Sequence, residues 1–155
     1  MNPVIFTADI TDVTFGQDVK VVQPVNLYKC EIGDQCFIGP FVEIQKNVRI
    51  GKKTRIQSHS FICELVSIGD NCFIGHGVMF VNDLFSKGAP AYGDKSLWGR
   101  CITGDNVSIG SNSTILSVAI CDNVVIGAGS VVTKDINEPG IYAGNPAHLI
   151  RKREG

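Results

Sequence analysis

The amino-acid sequence predicts an all-β fold, a parallel β-solenoid wound from six-residue repeats. A bulky apolar residue occupies every sixth position from residue 32 to residue 80: Ile32, Ile38, Ile44, Ile50, Ile56, Ile62, Ile68, Ile74 and Phe80. Helices repeat apolar positions every three or four residues and strands every two, so neither explains a sustained period of six. Three such faces per turn predict a triangular prism with an eighteen-residue coil.

Two further positions of the repeat support this interpretation. The residue four places after each bulky one is small or β-branched, as expected for a second inward position: Cys36, Val42, Val48, Thr54, Ser60, Val66, Cys72 and Val78. The residue directly after the bulky one is often glycine, at Gly33, Gly39, Gly51, Gly69 and Gly75. We expect these glycines at sharp corners, where a side chain would be crowded or φ would be positive.

The repeat begins imperfectly near the N-terminus. Phe15, Val21 and Leu27 keep the six-residue spacing but reach Ile32 after only five residues. One residue is therefore missing from the first coil, and residues 1–31 are predicted to form an imperfect capping turn.

A long insertion then interrupts the repeat. Thr103 follows Phe80 by 23 positions where one face needs six, so 17 extra residues form an excursion, at about 84–100. Long loops on a rigid scaffold often carry function, but the aromatic residues Phe85, Tyr92 and Trp98 could equally pack the loop against a neighbouring subunit. A second slip of one residue is expected near Ser117.

The repeat ends at Val132, and residues 133–155 are predicted to form a C-terminal cap. The basic tail from His148 to Gly155 is expected to form a brief helical turn. Without a composition break, residues 1–155 are interpreted as one domain.

Composition excludes several classes of function. The net charge is −1 and basic residues cluster only in the tail, which argues against a nucleic acid or membrane partner. The apolar stretches are too short to span a bilayer, and the absence of a signal segment predicts a cytoplasmic protein. The six cysteines form no C-x-x-C pair, so we expect reduced thiols and no metal site.

The closing motifs carry a family resemblance. The run Ile-Gly-Ala-Gly-Ser-Val-Val-Thr-Lys-Asp at 126–135 and the turn Gly-Asn-Pro-Ala at 144–147, together with the repeat and the excursion, resemble the hexapeptide-repeat acyltransferases. The resemblance implies a left-handed β-helix and a homotrimer. It also implies that acetyl-coenzyme A lies between neighbouring prisms.

Within that family, residues 60–64 and 80–85 are similar to acetyltransferases that modify the 3-amino group of nucleotide-linked sugars. The resemblance implies that Glu64 and Asn82 hold the sugar near the thioester, with Asp83 beside them. The spacing is independently consistent, because two residues 18 apart stack about 4.8 Å from each other in adjacent coils. Lys46 precedes Glu64 by the same 18 residues, so a structural ion pair between these two residues stays open.

The chemistry predicted for this site is direct attack by the sugar amine. An amine needs less activation than a hydroxyl group, so positioning and a backbone N–H for the oxyanion can supply most of the catalysis. Asn82 and Asp83 are the predicted catalytic residues, and Glu64 joins them in binding substrate. His76 is the alternative base, whereas His59 is expected to be structural and His148 to line the cofactor end.

The resemblance also suggests the two ligands. The candidate coenzyme A contacts are Gly110, Ala128, Lys134, Asn145, Arg151 and Lys152. The acceptor is predicted to be a dTDP-3-amino-3,6-dideoxyhexose, and its product would feed synthesis of a bacterial surface polysaccharide such as O-antigen.

Four alternatives remain at this stage. The first is a UDP-3-amino uronate as acceptor, and the second is a histidine-dependent O-acetyltransferase acting on sugar or serine. The third is a carbonic-anhydrase-like hexapeptide protein, which needs three histidines gathered at a subunit interface. The fourth is an inactive scaffold, which coenzyme A binding would exclude.

Overall fold

Each six-residue repeat forms a strand of two or three residues followed by a corner, and every third strand stacks on the same face. The computed structural model describes residues 1–153, whose 21 strands are numbered along the chain. They form three mainly parallel sheets, the faces A, B and C of a prism. Face A contains β1 (Ile10–Thr11), β4 (Asn26–Tyr28), β7 (Glu43–Ile44), β10 (Phe61–Ile62), β13 (Met79–Phe80), β16 (Thr114–Ile115) and β19 (Val131–Val132).

The other two faces follow the same rule. Face B contains β2 (Thr14–Phe15), β5 (Glu31–Ile32), β8 (Arg49–Ile50), β11 (Val66–Ile68), β14 (Cys101–Thr103) and β17 (Ala119–Ile120). Face C contains β3 (Lys20–Val21), β6 (Phe37–Ile38), β9 (Arg55–Ile56), β12 (Phe73–Ile74), β15 (Ser108–Ile109), β18 (Val124–Ile126), β20 (Gly140–Gly144) and β21 (Ala147–Lys152). The predicted parallel β-solenoid is confirmed.

The core is the column of bulky residues that the period of six predicted. Successive coils pair in register, so that Ile44 lies beside Ile62 and Ile56 beside Ile74. All nine predicted bulky residues and all eight predicted small residues are buried. Ser60, in the small position, is satisfied because its hydroxyl group donates to the Gly75 carbonyl at 2.8 Å.

The corner glycines are explained by crowding and not by positive φ. A Cβ on Gly51 would lie only 2.5 Å from the carbonyl carbon of Gly69 in the next coil. The positive φ values fall two residues later in the repeat, for example at Lys53 (56°) and Asn71 (53°). Of our two explanations, crowding is therefore confirmed, and positive φ is wrong for these glycines.

The N-terminal coil is a partial cap, as predicted. Leu27 is fully buried, whereas Phe15 remains 39% exposed. The sequence pattern did not predict β1, which pairs with β4 and extends face A by one strand. The slip near Ser117 is confirmed, because Ile115 and Ile120 are both buried although only five residues apart.

The excursion leaves face A after Phe80 and rejoins the solenoid at Cys101. An antiparallel bridge joins Asp83 to Trp98 at its base, and Lys95–Leu97 form one turn of 3-10 helix. Beyond it, β14 pairs directly with β11, so the coil stack continues undisturbed.

The tail forms a strand, and the predicted helical turn is wrong. Gly144, at φ 108°, begins the turn that reverses the chain, so that β21 runs antiparallel to β20. Pairing with β21 satisfies backbone groups on the outer edge of face C that would otherwise stay open. Glu154 and Gly155 lie outside the described residues.

Among residues 1–153, no helix has the length and apolar character needed to cross a membrane.

Candidate functional site

The corner between faces A and B, called the AB corner, presents the predicted acceptor residues. It comprises residues 28–30, 45–48, 63–65, 81–100, 116–118 and 133–135. Asn82 stacks on Glu64 as predicted, and its side-chain Nδ2 donates to the Glu64 carbonyl oxygen at 2.9 Å. Because Nδ2 is the donor in this contact, Oδ1 of Asn82 is directed elsewhere as an acceptor.

Glu64 is buried and its carboxylate is paired with the excursion. Its side chain is 8% exposed, and Lys95 Nζ lies 2.9 and 3.0 Å from its two oxygens. Asn47 Nδ2 donates to the same carboxylate at 3.2 Å. Glu64 is therefore paired with Lys95 and not with Lys46, the partner that the sequence left open. The hydrogen bond between Lys95 and Glu64 raises the pKa of Lys95.

Asp83 organises the excursion through its carboxylate. Oδ1 accepts from the Phe85 amide at 3.0 Å, and Oδ2 accepts from the Ala91 amide at 2.7 Å. Each carboxylate oxygen keeps a further lone pair, but hydrogen bonds from the loop backbone already hold both oxygen atoms in position. The immediate effect of Asp83 is to shape the wall beside Asn82.

A mostly apolar cleft of about 410 Å³ opens beside this column. Asn82, Asp83, Phe85 and Trp98 line it together with the outer surface of β10 and β13. Trp98 Nε1 is buried without a hydrogen-bond partner among the described residues. Tyr92, the third aromatic residue of the excursion, does not line the cleft and is 88% exposed.

The corner between faces C and A, called the CA corner, presents two of the six predicted cofactor residues, Gly110 and Ala128. It comprises residues 22–25, 39–42, 57–60, 75–78, 110–113 and 127–130. Ala128 is exposed, and Gly129, at φ 66°, has open space where a Cβ would lie. A Cβ on Gly110 would meet the Ala128 Cα at 2.7 Å, so stacking of coils explains the glycine at 110.

The remaining cofactor candidates are dispersed. Asn145 lies exposed in the turn after Gly144, whose amide donates to Ser130 Oγ at the CA corner. Arg151 is exposed on β21, and Lys152 forms a surface ion pair with Glu138 at 3.2 Å. Lys134 lies on the AB corner, away from the other candidates.

The histidines are separated from the acceptor column within one chain. His76 precedes β13 and Asn82 follows it, so up to about 20 Å of extended chain lies between them. His59, exposed on the same CA corner, packs its ring 4.9 Å from that of Phe41, which fits its predicted structural role. His148 lies exposed on β21.

Lys95 is the residue that the sequence analysis missed. It lies outside the six-residue repeat, so no spacing links it to Glu64, which is 31 residues away. Within residues 1–153, no three His, Cys, Asp or Glu side chains form a group able to hold a metal ion. The cysteines are free thiols, and all but Cys121 are buried.

The stacked six-residue solenoid is that of the hexapeptide-repeat proteins, as two family matches show. The family described as bacterial transferase hexapeptide (six repeats) matches residues 29–64. The family described as hexapeptide repeat of succinyl-transferase matches residues 65–79 and 101–134. The chain belongs to the hexapeptide-repeat transferases.

Individual relatives agree with this assignment. The bifunctional protein GlmU of Streptococcus uberis is 30% identical over 152 residues, which cover 92% of this chain and 32% of GlmU. The GlmU of Acetivibrio thermocellus is 33% identical over 152 residues, covering 97% of this chain and 30% of its own length. The chain thus spans about a third of the length of these curated relatives.

Solved structures share the fold at lower identity. A mutant of AntD, an N-acyltransferase from Bacillus cereus in complex with dTDP and coenzyme A, matches with a TM-score of 0.78 and 22% identity. The match covers 91% of this chain and 84% of AntD. A mutant of GDP-perosamine N-acetyltransferase from Caulobacter crescentus, with coenzyme A and GDP-perosamine, matches with a TM-score of 0.63 and 16% identity. That match covers 90% of this chain and 56% of the other.

Proposed function

We propose that this protein is an acetyl-coenzyme A-dependent N-acetyltransferase acting on the 3-amino group of a nucleotide-linked sugar, with a dTDP-3-amino-3,6-dideoxyhexose as the preferred acceptor. The observation that carries the proposal is Asn82, whose amide is anchored on the Glu64 carbonyl at the mouth of a cleft walled by the excursion. AntD was solved with dTDP and GDP-perosamine N-acetyltransferase with GDP-perosamine, and these ligands support a nucleotide-linked acceptor.

In this proposal Asn82 orients the amine. Its Nδ2 is held by the Glu64 carbonyl, so Oδ1 accepts an N–H of the sugar amine and directs the nitrogen lone pair at the acyl carbon. Asp83 acts beside it by holding the loop that closes the cleft, and its remaining lone pairs face the sugar. Glu64 contributes the carbonyl that fixes Asn82, and its carboxylate keeps Lys95 in place.

The reaction then balances without a dedicated base. Bound acetyl-coenzyme A supplies the acyl group as a thioester. The amine nitrogen forms the new C–N bond, the C–S bond breaks, and the proton lost by nitrogen ends on the departing thiolate. A backbone N–H group stabilises the negative charge that develops on the carbonyl oxygen. The open backbone at Ala128 and Gly129 fits a ligand lying along the CA corner.

We further propose that the protein works as a homotrimer. The predicted acceptor residues lie on the AB corner and the cofactor candidates Gly110 and Ala128 lie on the CA corner, so one chain holds two halves of a site on opposite edges of face A. Closed cyclic symmetry would bring the CA corner of one subunit against the AB corner of the next. Sedimentation with light scattering tests this proposal, and a monomer that is fully active would contradict it.

Acetyl transfer to a panel of acceptors tests the function. We would supply dTDP- and UDP-linked 3-amino and 4-amino sugars and hydroxyl-only sugars, and follow thiol release with mass detection of products. Asn82→Ala should lower kcat/KM by roughly 100-fold, the loss typical of a misplaced reacting group. Asn137→Ala, an exposed asparagine in the C-terminal cap, is the matched control and should retain activity.

The histidine variants separate the remaining alternatives. Activity on a 3-amino sugar that survives in His76→Ala supports direct attack. Turnover only with hydroxyl acceptors, abolished by His76→Ala, would replace the proposal with a histidine-dependent O-acetyltransferase. Preference for a UDP-linked uronate would change the acceptor but keep the mechanism.

A further inference from the structure

Lysine side chains collect on the AB corner around the buried carboxylate of Glu64. Lys95 reaches it from the excursion at 2.9 Å, and Lys46 occupies the same corner position one coil toward the N-terminus. Contact with the amino group of Lys95 lowers the pKa of Lys46, and Lys29 acts on Lys46 in the same direction. The Lys29 carbonyl accepts a hydrogen bond from the Asn47 amide at 2.9 Å, which places Lys29 on the next coil of the same corner. Three lysines therefore lie on one short stretch of this corner.

The carboxylates nearby do not neutralise this cluster. Glu64 is already paired with Lys95, and Glu43, on face A, accepts from the Gln45 side chain at 3.0 Å. Within residues 1–153, Lys29 and Lys46 make no ion pair with a carboxylate. Positive charge is thus in excess at this point, an arrangement that attracts an anion.

The lysine cluster lies close enough to Asn82 for one nucleotide-linked sugar to reach both. One coil advances about 5 Å along the corner, so Glu64 is about 5 Å and Lys46 about 10 Å from Asn82 along the stack. An acceptor with its amine at Asn82 and its sugar ring along the corner would carry its next group, the diphosphate, to these lysines. A further cleft of about 490 Å³, lined in part by Lys29, Asn47 and Arg100, continues the path onto face B.

We propose that Lys46 and Lys95, with Lys29 beyond them, bind the diphosphate of the nucleotide-linked acceptor, and that Glu64 is the counter-ion that holds Lys95 in position beforehand. This inference rests on the proposed function and assigns to Glu64 a role other than direct binding of the sugar. Ammonium groups hold phosphate through charge-assisted hydrogen bonds, and pairing with the buried Glu64 carboxylate limits the side-chain freedom of Lys95 before the ligand arrives.

The role of Glu64 can be tested by the sign of its effect, because positioning of lysine and direct repulsion of the phosphates predict opposite changes in dTDP affinity. Titration calorimetry would measure binding of dTDP, which has no sugar, with thymidine and inorganic pyrophosphate as the separated halves. Lys46→Met and Lys95→Met should each weaken dTDP binding roughly tenfold or more, as expected for a lost charge-assisted hydrogen bond. Glu64→Gln should also weaken dTDP binding, because a neutral amide no longer holds Lys95 in place before the ligand arrives. Simple repulsion between the Glu64 carboxylate and the phosphates predicts tighter binding instead.

Three controls accompany these variants. Lys87→Met removes an exposed lysine of the same excursion and should leave the dTDP affinity unchanged. Lys95→Arg keeps both the charge and the contact with Glu64, and should retain most of the binding. Thermal unfolding of every variant shows that the solenoid remains folded, and pyrophosphate should compete with dTDP whereas thymidine should not.

The outcomes distinguish this inference from the proposed function. A wild-type protein that acetylates the nucleotide-linked sugar, while Lys46→Met and Lys95→Met bind dTDP normally, overturns the lysine assignment alone. A Glu64→Gln variant that binds dTDP as tightly as the wild type, or more tightly, overturns the counter-ion role. A wild-type protein that binds no nucleoside diphosphate and acetylates only phosphate-free amino sugars overturns both.

Discussion

Replacing Gly69 by alanine should destabilise the solenoid where the coils before and after the excursion meet. Gly69 directly follows β11, and a Cβ on it would lie 2.6 Å from the Gly104 carbonyl carbon and closer still to the carbonyl oxygen. These two neighbours are backbone atoms, which cannot move aside as the end of a side chain can. The third close atom is Asp105 Oδ1, a side-chain oxygen that accepts a hydrogen bond from the Asp70 amide. Overpacking of this kind costs about 1–3 kcal/mol, and close contact with the Gly104 backbone favours the upper end.

The loss is measurable by thermal unfolding followed by circular dichroism. For a chain of this length, about 3 kcal/mol corresponds to a fall in Tm of roughly 6–12 °C. Asn71→Gly is the matched control two residues later, where φ is 53°. Glycine adopts that conformation without strain, so Asn71→Gly should leave the Tm nearly unchanged.

A third variant separates crowding from backbone conformation. Asparagine tolerates positive φ better than alanine does, so Gly69→Asn would be the milder change if conformation mattered. Crowding predicts that Gly69→Asn is at least as destabilising as Gly69→Ala. A Tm for Gly69→Ala within about 2 °C of wild type, less than the fall expected for 1 kcal/mol, would refute the stacking argument.

Three further predictions concern thiols, acid stability and the excursion. Burial raises the pKa of Cys63 to about 12, so at pH 8 the native protein should expose at most the partly buried Cys121 to a thiol reagent; rapid titration of several thiols would contradict this. The Gln17 amide lowers the pKa of Asp34, so this carboxylate stabilises the fold above its unfolded pKa of about 3.9 and loses that effect as pH falls. The Tm difference between wild type and Asp34→Asn should therefore narrow from pH 7 to pH 2, and a constant difference would argue against it. Asp83→Ala removes the acceptor of two loop amides, so trypsin should cleave the excursion faster while the Tm changes little; an unaltered cleavage rate would contradict the role of Asp83.

The repeat could be predicted from sequence because its physical cause is local and regular. A strict period of six determines which residues point inward, and the 18-residue coil then determines which residues stack. The contact between Asn82 and Glu64 followed from that arithmetic alone. The corner glycines were identified for the same reason, although only the structure separated crowding from positive φ.

The C-terminal strand was not predicted, because its cause lies outside its own sequence. Residues 147–152 carry no strict apolar alternation, and the basic residues there suggested a helical turn. The strand forms because the turn beginning at Gly144 returns the chain along β20, whose edge would otherwise remain open.

The same reasoning explains why the sequence revealed only part of the candidate site. Glu64 and Asn82 belong to the repeat, so their mutual position follows from the coil, whereas Lys95 is positioned by an irregular loop whose path no period describes. Its contact with Glu64 changes the interpretation of that carboxylate, because a side chain predicted to hold the sugar proves to be paired with a lysine. A charge pair between a buried carboxylate and a half-exposed lysine contributes little net stability once desolvation of the carboxylate and screening by solvent are counted, so stability alone does not account for it. Positioning of lysines for a phosphate ligand does account for it, and Glu64→Gln separates the two explanations by the sign of its effect on dTDP affinity.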